Sequence, residues 1–557
     1  MAREEGSAVA MAAEPGNQPA GRQVRKYGYM KMAAGGRHFA FLGQELKTQL
    51  FFLEIVSYIS AKKPNMKIGN LLSLKKGFAA YLVDRKTSLA IWLSAACIQG
   101  ALLNFLFPYP DFFSDSYTYV ADAIANLGFS YRPQGYPDYL VHLHKLLPSA
   151  GFAVFVQYLL FALSTLFCVS SCGYLFGLTK RQTNWLMAAV LLNPMLVITS
   201  NLVSSDSLFC SSTVLWFTSL LWIIKRTGFL NIAIHTLLLL ICMHLRYTAL
   251  FYFAISAITF LVSKGTKVLR VVGVVLSVSA IWGYVNWQET KTEDNFGVRM
   301  FSGFGNWQIA NNALCYYKKL NVSDDDLPTT ETKVLDFAVK RFIDTIYTEG
   351  HIGTQYMWDK RSPLKRYVAR RCRLENQKYF PEWIKCSEDI GEYGRILIKS
   401  DPMAYIKYFM APNFKNFMVP DLEAIEDYNI YHLTAPDNCK VWYNLDTNVL
   451  TPRYQGLEKR MMAVFPYLNC ALNVFNIIFI FYFLLQNWKT RKLLRKDILG
   501  LFCAWTAFYF GFMAFSVASA YIVFRYLEII FVLGVIIPVV LYSHSYKSRW
   551  PAAIQKE

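Results

Sequence analysis

Charge is what this 557-residue chain has least of: Asp, Glu, Lys and Arg make up 17% of it, against 54% hydrophobic residues and a mean hydropathy of +0.25. Soluble domains carry about a quarter charged residues, so a soluble globule is excluded as the home of most of this sequence. No internal repeat is present, which excludes a solenoid. The halves show no inverted symmetry of the kind built into many transporters. The beginning lacks the basic stretch, apolar core and cleavage site of a signal peptide, so none is expected to be removed. His142-x-His144 has no third ligand beside it, so no metal site is read there.

The apolar residues fall in blocks of about twenty, the length a helix needs to cross roughly 30 Å of hydrocarbon. They predict an all-α polytopic membrane protein with about ten transmembrane helices, at 88–107, 151–177, 184–202, 207–224, 229–245, 248–263, 268–287, 463–486, 498–518 and 521–542. The formal charge of +19 does not point to nucleic acid, because the basic residues form no tail or single face and instead sit at block ends. Lys180/Arg181, Lys225/Arg226, Lys264/Lys267/Arg270, the run Lys489–Lys496 and Lys547/Arg549 all fall on one side if both chain ends are cytoplasmic. The junctions near 246 and 520 are tight enough for re-entrant hairpins. The organisation read from this is a cytoplasmic tail at 1–87 and seven helices at 88–287, with a first outer loop at 108–150. An extracytoplasmic domain of α or α+β type follows at 288–462, then three helices at 463–545 and a tail at 546–557. In the first tail, Leu50–Ile59 reads as a helix lying on the membrane surface. The placement implies a multi-pass protein of a bacterial inner membrane, or of the endoplasmic reticulum if the cell is eukaryotic.

Cys315, Cys372, Cys386 and Cys439 fall in 288–462, where they form either two disulfides or buried thiols. Asn321-Val-Ser323 is a glycosylation sequon on the outer side. In the first outer loop, Pro108 and Pro110 end the first span. From Ser116 the apolar residues Tyr117, Val120, Ile124 and Leu127 recur at helical spacing, stopped by Gly128. Ser114 or Asp115 would serve as the N-cap of this surface helix. Asp115, with Asp111 four residues before it as second choice, is also a candidate for acid–base chemistry.

Further ionisable groups fall at membrane depth on the same outer side. Asp206 lies between the third and fourth spans, Arg246 between the fifth and sixth, and Arg525 near the start of the tenth. Together with Arg132 these arginines run against the inside-positive trend. An arginine fork at such a depth suits a phosphate; the plain alternative is snorkelling, or pairing with a neighbour such as Glu528. Asp324–Asp326 reads as an exposed acidic turn, and Trp358, Trp383 and Trp442 suit core packing or sugar stacking.

Asp115-Ser-Tyr-x-Tyr-x-Ala, Gly128-Phe-Ser and Tyr131-Arg-Pro-Gln-Gly-Tyr-Pro137 resemble the first outer loop of the GT-C superfamily of membrane glycosyltransferases. These enzymes use polyprenyl-phosphate sugars; protein O-mannosyltransferases and the lipid A aminoarabinose transferase are examples. The similarity continues through Asn193-Pro194, Ser204-Ser-Asp206-Ser-Leu-Phe209, Leu245-Arg246-Tyr-Thr-Ala-Leu250 and Arg525-Tyr526-Leu527, in order and on one side. Asp206 stands where the family has Glu and Tyr247 where it has Pro, and the resemblance does not extend to 288–462. The resemblance implies an inverting transfer of a sugar from a polyprenyl- or dolichyl-phosphate donor to a hydroxyl of a glycan, lipid or protein. It makes Asp115 the base, with Asp111 as understudy, and Arg132, Arg246 and Arg525 the donor-phosphate ligands. Tyr131, Tyr136 and Asp206 would meet acceptor or sugar. No cofactor is required and a divalent cation is admitted. A lipid-linked glycan flippase and an O-antigen polymerase or ligase are the rival readings, the latter carried by Arg361, Arg366, Arg370, Arg371 and Arg373.

Overall fold

The computed structural model describes residues 77–547, apart from 127, 424, 426, 430–433, 448, 455 and 491–494. The surface helix expected over Leu50–Ile59 lies outside the described residues. Helix makes up 78% and no strand occurs among the described residues, where pairing is limited to three isolated bridges. A short helical stretch over 77–84 belongs to a separate unit ending at Arg85.

From Lys86 the helices run α1 (Lys86–Leu106), α2 (Ser114–Ala125), α3 (Gly135–Leu146), α4 (Ala150–Phe176), α5 (Lys180–Leu191), α6 (Pro194–Thr199), α7 (Ser205–Lys225), α8 (Phe229–Leu245), α9 (Tyr252–Val262) and α10 (Lys267–Phe296). Then come α11 (Gly303–Leu314), α12 (Thr330–Phe342), α13 (Pro363–Leu374) and α14 (Tyr379–Ser400). The chain closes with α15 (Phe465–Thr490), α16 (Lys496–Ser519) and α17 (Glu528–Lys547).

Seven helical stretches are long and apolar enough to cross a membrane: Lys86–Leu106, Ala150–Phe176, Ser205–Lys225, Lys267–Phe296, Leu457–Asn487, Lys496–Ser519 and Phe524–Ser543. Each coincides with an expected block. The other three expected spans take different forms. The block at 184–202 is broken into α5 and α6 at Asn193-Pro194. A residue before proline is driven out of the helical region, and Asn193 is extended, with its side chain accepting from Met195 N. The blocks at 229–245 and 248–263 become α8 and the pair Tyr247–Phe251 plus α9, shorter apolar helices flanking Arg246.

α7 is the central helix, buried almost throughout, and α4, α8, α16 and α17 pack around it. In hydrocarbon the hydrophobic effect does not hold helices together, so polar side chains bridging backbones matter more. Asn469 donates to Phe417 O at 2.8 Å, and Asn476 donates to Gly534 O at 3.2 Å. Asn413 closes the end of α16, donating to Val517 O at 2.9 Å and Ala520 O at 2.6 Å while accepting from Ile522 N at 2.9 Å.

Residues 300–409 build a second core of their own, including Trp307, Leu335, Leu364, Trp383, Ile390 and Phe409. Its axis is α11 crossing α14, where Trp307 stacks on Trp383 at 5.0 Å. A Cβ on Gly394 would lie 2.6 Å from the Ala310 backbone, so only glycine lets the two helices approach this closely. Residues 411–462 behave differently: Phe417, Ile425, Cys439, Tyr443, Leu450 and Met462 pack into the membrane-helix core. All eleven cysteines are free thiols.

Candidate functional site

The loop that follows α1 is pinned by its own backbone. Asp111 N donates to Asn201 O at 3.0 Å and Val203 N donates to Asp111 O at 2.9 Å, tying the loop to the approach of α7. Phe113, not Ser114 or Asp115, takes the N-cap position of α2, its N–H bonded to Ser116 Oγ at 3.1 Å. The buried face of α2 is Ser116, Tyr119, Val120 and Ala123. Tyr117 and Ile124, expected on that face, lie to its side, Ile124 being 39% exposed. The helix ends at Asn126 in the left-handed region, ahead of the expected Gly128. At the start of α3, a Cβ on Gly135 would fall 2.5 Å from His244 O, so glycine allows the loop to seat against the end of α8 beside Arg246.

Released from capping, Asp115 joins an ion cluster drawn from distant parts of the chain. Arg132 Nη2 donates to Asp115 Oδ1 at 2.6 Å, and Arg525 Nη2 donates to Asp115 Oδ2 at 3.0 Å. Arg525 Nη1 donates to Asp206 Oδ2 at 2.9 Å, and its Nε to Glu423 Oε2 at 2.8 Å. Arg246 Nη1 bonds the other oxygen of Asp206, and Ser204 Oγ donates to Oδ2 at 2.5 Å. Three arginines thus balance three carboxylates. Tyr526 lies between two of them, its ring centre 4.5 Å from the Arg246 guanidinium and 4.7 Å from that of Arg525. Arg132 lies over the Trp358 ring at 5.5 Å and the Tyr119 ring at 5.6 Å.

The arginines are not equivalent. Arg525 is 4% exposed and uses all three nitrogens on three different carboxylates, which makes it the hub. Arg132 and Arg246 each use one nitrogen on a carboxylate, and their side chains are 13% and 20% exposed. Their remaining N–H groups are the ones able to receive an incoming anion. Burial pushes the Asp115 carboxyl up, but Arg132, Arg525 and Arg246 together outweigh it and hold it below the usual carboxylate range. Asp115 is therefore ionised at neutral pH.

Asp111 faces elsewhere. It is 1% exposed, its Oδ1 accepts from Asn429 N at 2.8 Å, and its Oδ2 meets no donor among the described residues. Burial pushes its pKa up to about 7, with the Asn429 N–H offsetting part of the rise. Asp206, expected to meet acceptor or sugar, has a side chain 1% exposed and committed to two arginines. Tyr136 is fully buried, edge-on to Tyr119 at 5.0 Å and stacked with Tyr139 at 5.6 Å, which leaves no face for a ligand. Tyr131 packs into the second core, with Phe380 at 4.5 Å and Trp383 at 4.7 Å. Glu528, the neighbour expected to pair with an arginine, is 2% exposed and meets no donor among the described residues, although Thr199 lies close to it.

Glu423 and Tyr526 complete the cluster without having been singled out. Tyr526 stood inside a motif whose arginine drew the attention. Glu423 lies in a stretch with no periodicity, and a parallel bridge between Asp421 and Val523 carries it to Arg525. Among the described residues no group of three or more His, Cys, Asp or Glu side chains could hold a metal ion. His142 bonds Asp138 O at 2.6 Å and His144 stacks on Trp442 at 3.6 Å. In the acidic turn, Asp326 accepts from Ser323 N and Oγ, both at 2.9 Å. Arg361 is paired with Asp359 at 2.7 Å and Arg371 with Glu382 at 3.3 Å. Comparison with known proteins finds no matching family, no matching curated protein and no matching solved structure.

Proposed function

We propose that this protein is a membrane glycosyltransferase that moves a sugar from a polyprenyl-phosphate donor to an acceptor hydroxyl on the extracytoplasmic side. The observation that carries this reading is the cluster itself: an ionised Asp115 bonded to Arg132, with Arg246 on the neighbouring Asp206 and both arginines keeping N–H groups off the carboxylates. The donor phosphate would bridge the free N–H groups of Arg132 and Arg246, with Arg525 holding the carboxylates in place between them. The acceptor oxygen forms a bond to the anomeric carbon while the bond from that carbon to the phosphate oxygen breaks, and its electron pair leaves with the phosphate. The hydroxyl proton passes to Asp115. A lipid phosphate leaves without protonation, so one carboxylate suffices, as in one half of an inverting hydrolase site. Such a base contributes about 10²- to 10⁴-fold, and the arginines stabilise the charge on the departing phosphate.

The topology that goes with this has ten spans, counting α8, α9 and the broken α5–α6 pair, with both ends cytoplasmic and 288–462 outside as an inserted domain. Cysteines introduced at Lys319 and Lys264 test it. An impermeant thiol reagent applied from outside should label position 319 and leave 264 unlabelled; the reverse pattern would end the reading. The activity is tested by incubating purified protein with polyprenyl-phosphate sugars and following the release of polyprenyl phosphate together with glycosylated product. A flippase would move the lipid between leaflets without cleaving it.

A further inference from the structure

Of the six charged groups in the cluster, Glu423 is the most open. Its side chain is 35% exposed, against 20% or less for Arg132, Asp115, Arg246, Asp206 and Arg525. One of its oxygens accepts from Arg525 Nε; the other, Oε1, makes no hydrogen bond among the described residues. Asp115 and Asp206 have both oxygens held by arginine. The backbone at Glu423 is also unusual, a non-glycine residue at φ 52. Such a conformation costs energy and persists only where the surroundings enforce it. Here they do: Glu423 N donates to Asp421 Oδ1 at 3.0 Å, and Phe524 N donates to Asp421 O at 2.8 Å. Among the described residues, one carboxylate oxygen of Glu423 is thus left without a hydrogen bond, next to the hub arginine and on the most exposed group of the cluster.

Its position relative to Asp115 gives that oxygen a use. Arg525 Nε holds Glu423 and Arg525 Nη2 holds Asp115, and these two nitrogens form one edge of the guanidinium fork. One guanidinium thus anchors both carboxylates, and its Nη2 also donates to the Tyr526 hydroxyl at 3.3 Å. Two neighbouring anionic acceptors match two neighbouring hydroxyl donors on one molecule.

Resting on the glycosyltransferase reading, we infer that Glu423 binds the hydroxyl next to the one that attacks, so that the acceptor is a vicinal diol, a sugar or cyclitol ring, and not a serine or threonine side chain. Asp115 takes the proton of the attacking hydroxyl. Glu423 Oε1 accepts a hydrogen bond from its neighbour and keeps that hydroxyl unreacted, which sets the orientation of the ring. Glu423 is a specificity-determining residue in this scheme.

The test uses the full-length protein, a panel of polyprenyl-phosphate hexoses as donors, and two acceptor probes, octyl α-mannoside and a serine/threonine-containing peptide. Wild type should glycosylate the mannoside at least tenfold better than the peptide. Glu423→Gln keeps an oxygen for Arg525 but loses the charge, and should raise KM for the mannoside about ten- to a hundredfold, the loss expected for one hydrogen bond to a charged group. The kcat at saturating acceptor and the affinity for polyprenyl monophosphate should stay within about threefold, and Glu423→Asp should recover part of the KM. Preference for the peptide, or an unchanged KM in Glu423→Gln with wild type active, overturns the inference alone. Much tighter polyprenyl monophosphate binding by Glu423→Gln with unchanged KM would overturn it in favour of Glu423 filling the phosphate's place. Absence of sugar transfer by wild type with every donor would overturn the glycosyltransferase reading and this inference with it.

Discussion

α7 has an ion cluster at each end, and the two are built on opposite plans. Asp206 and Lys225 are nineteen residues apart on that helix, a rise of about 29 Å. At the Lys225 end a single buried carboxylate, Asp497, is met by Lys225, by Arg495 at 2.8 Å and by Lys264 at 3.8 Å. These cations come from helix ends, two of them well exposed, and the surplus is positive. Such a positive surplus is the ordinary signature of a membrane edge. At the Asp206 end the cations are all arginine, the charges balance, and the groups arrive from segments up to 410 residues apart. Lysine suffices where water shares the charge, whereas the planar fork of arginine is needed where one cation must hold several carboxylates out of water. The lysine end looks like topology and the arginine end like a site.

Arg525 should show the largest difference. Its loss leaves Asp115, Asp206 and Glu423 short of a shared partner, and an unpaired buried charge costs roughly 3–5 kcal/mol. Arg525→Ala should fail to yield folded protein, and Arg525→Lys should fold with a clearly lower thermal midpoint in detergent, because one ammonium cannot span three carboxylates. A midpoint for Arg525→Lys equal to wild type would remove its standing as the hub.

Asp115→Asn comes next. With Phe113 in the cap position, asparagine at 115 is not rescued by its own capping ability. Turnover of a lipid-linked donor should fall about a hundredfold or more while the protein stays folded, measured as initial rate at saturating donor and acceptor. Near-normal turnover would take the carboxylate base out of this position.

Much of this was legible beforehand. Seven apolar blocks became membrane-length helices because length and composition alone set that outcome in hydrocarbon. Asp206, Arg246 and Arg525 are legible as costly groups at membrane depth, and Arg132 and Asp115 as loop residues grouped with them by the phosphate and base readings. That they bond to one another was not readable, since the closure runs through loops whose geometry no local pattern encodes. Asn193-Pro194 carried its helix break in plain view, yet the surrounding apolar run reads as continuous. Glu423 had no local signal at all, because a backbone bridge to Val523 places it and periodicity plays no part. Tyr131 and Tyr136 carry a sugar- or acceptor-binding expectation only through the family resemblance, and packing takes both into cores.

Asp111 sharpens the comparison within one loop, because it lies four residues from Asp115 but, among the described residues, pairs with no arginine. Its folded pKa is raised to about 7, mainly by burial. A carboxyl raised in the folded state contributes its stability fully below the unfolded value of about 4. That stability is lost as pH rises towards 7, since the unfolded chain ionises first. Asp111→Asn should therefore match wild type near pH 4 and be more stable by roughly 1–3 kcal/mol at pH 8, with sugar transfer retained. Thermal midpoints across that pH range check it, and a stability loss at pH 8 would show that the ionised form is held by partners beyond Asn429.

The smallest effect belongs to the lysine end and serves as the control on the whole comparison. Lys225→Gln removes one of three cations from Asp497, but Arg495 still reaches both oxygens, at 2.8 Å and 3.3 Å, and Lys264 stays nearby. The carboxylate remains paired, so the cost should be below about 1 kcal/mol, as for partly exposed ion pairs. That cost should shrink further as salt rises from 0.05 to 0.5 M, because two of the cations face solvent and are screened. Arg246→Gln at the opposite end of the same helix bundle has less redundancy: Asp206 would keep Arg525 alone, in a buried setting that salt screens poorly. Its destabilisation should exceed that of Lys225→Gln and change little with salt. Equal costs and equal salt dependence at the two ends would mean that the arginine cluster is another membrane-edge charge layer, and its claim to be a site would rest on activity alone.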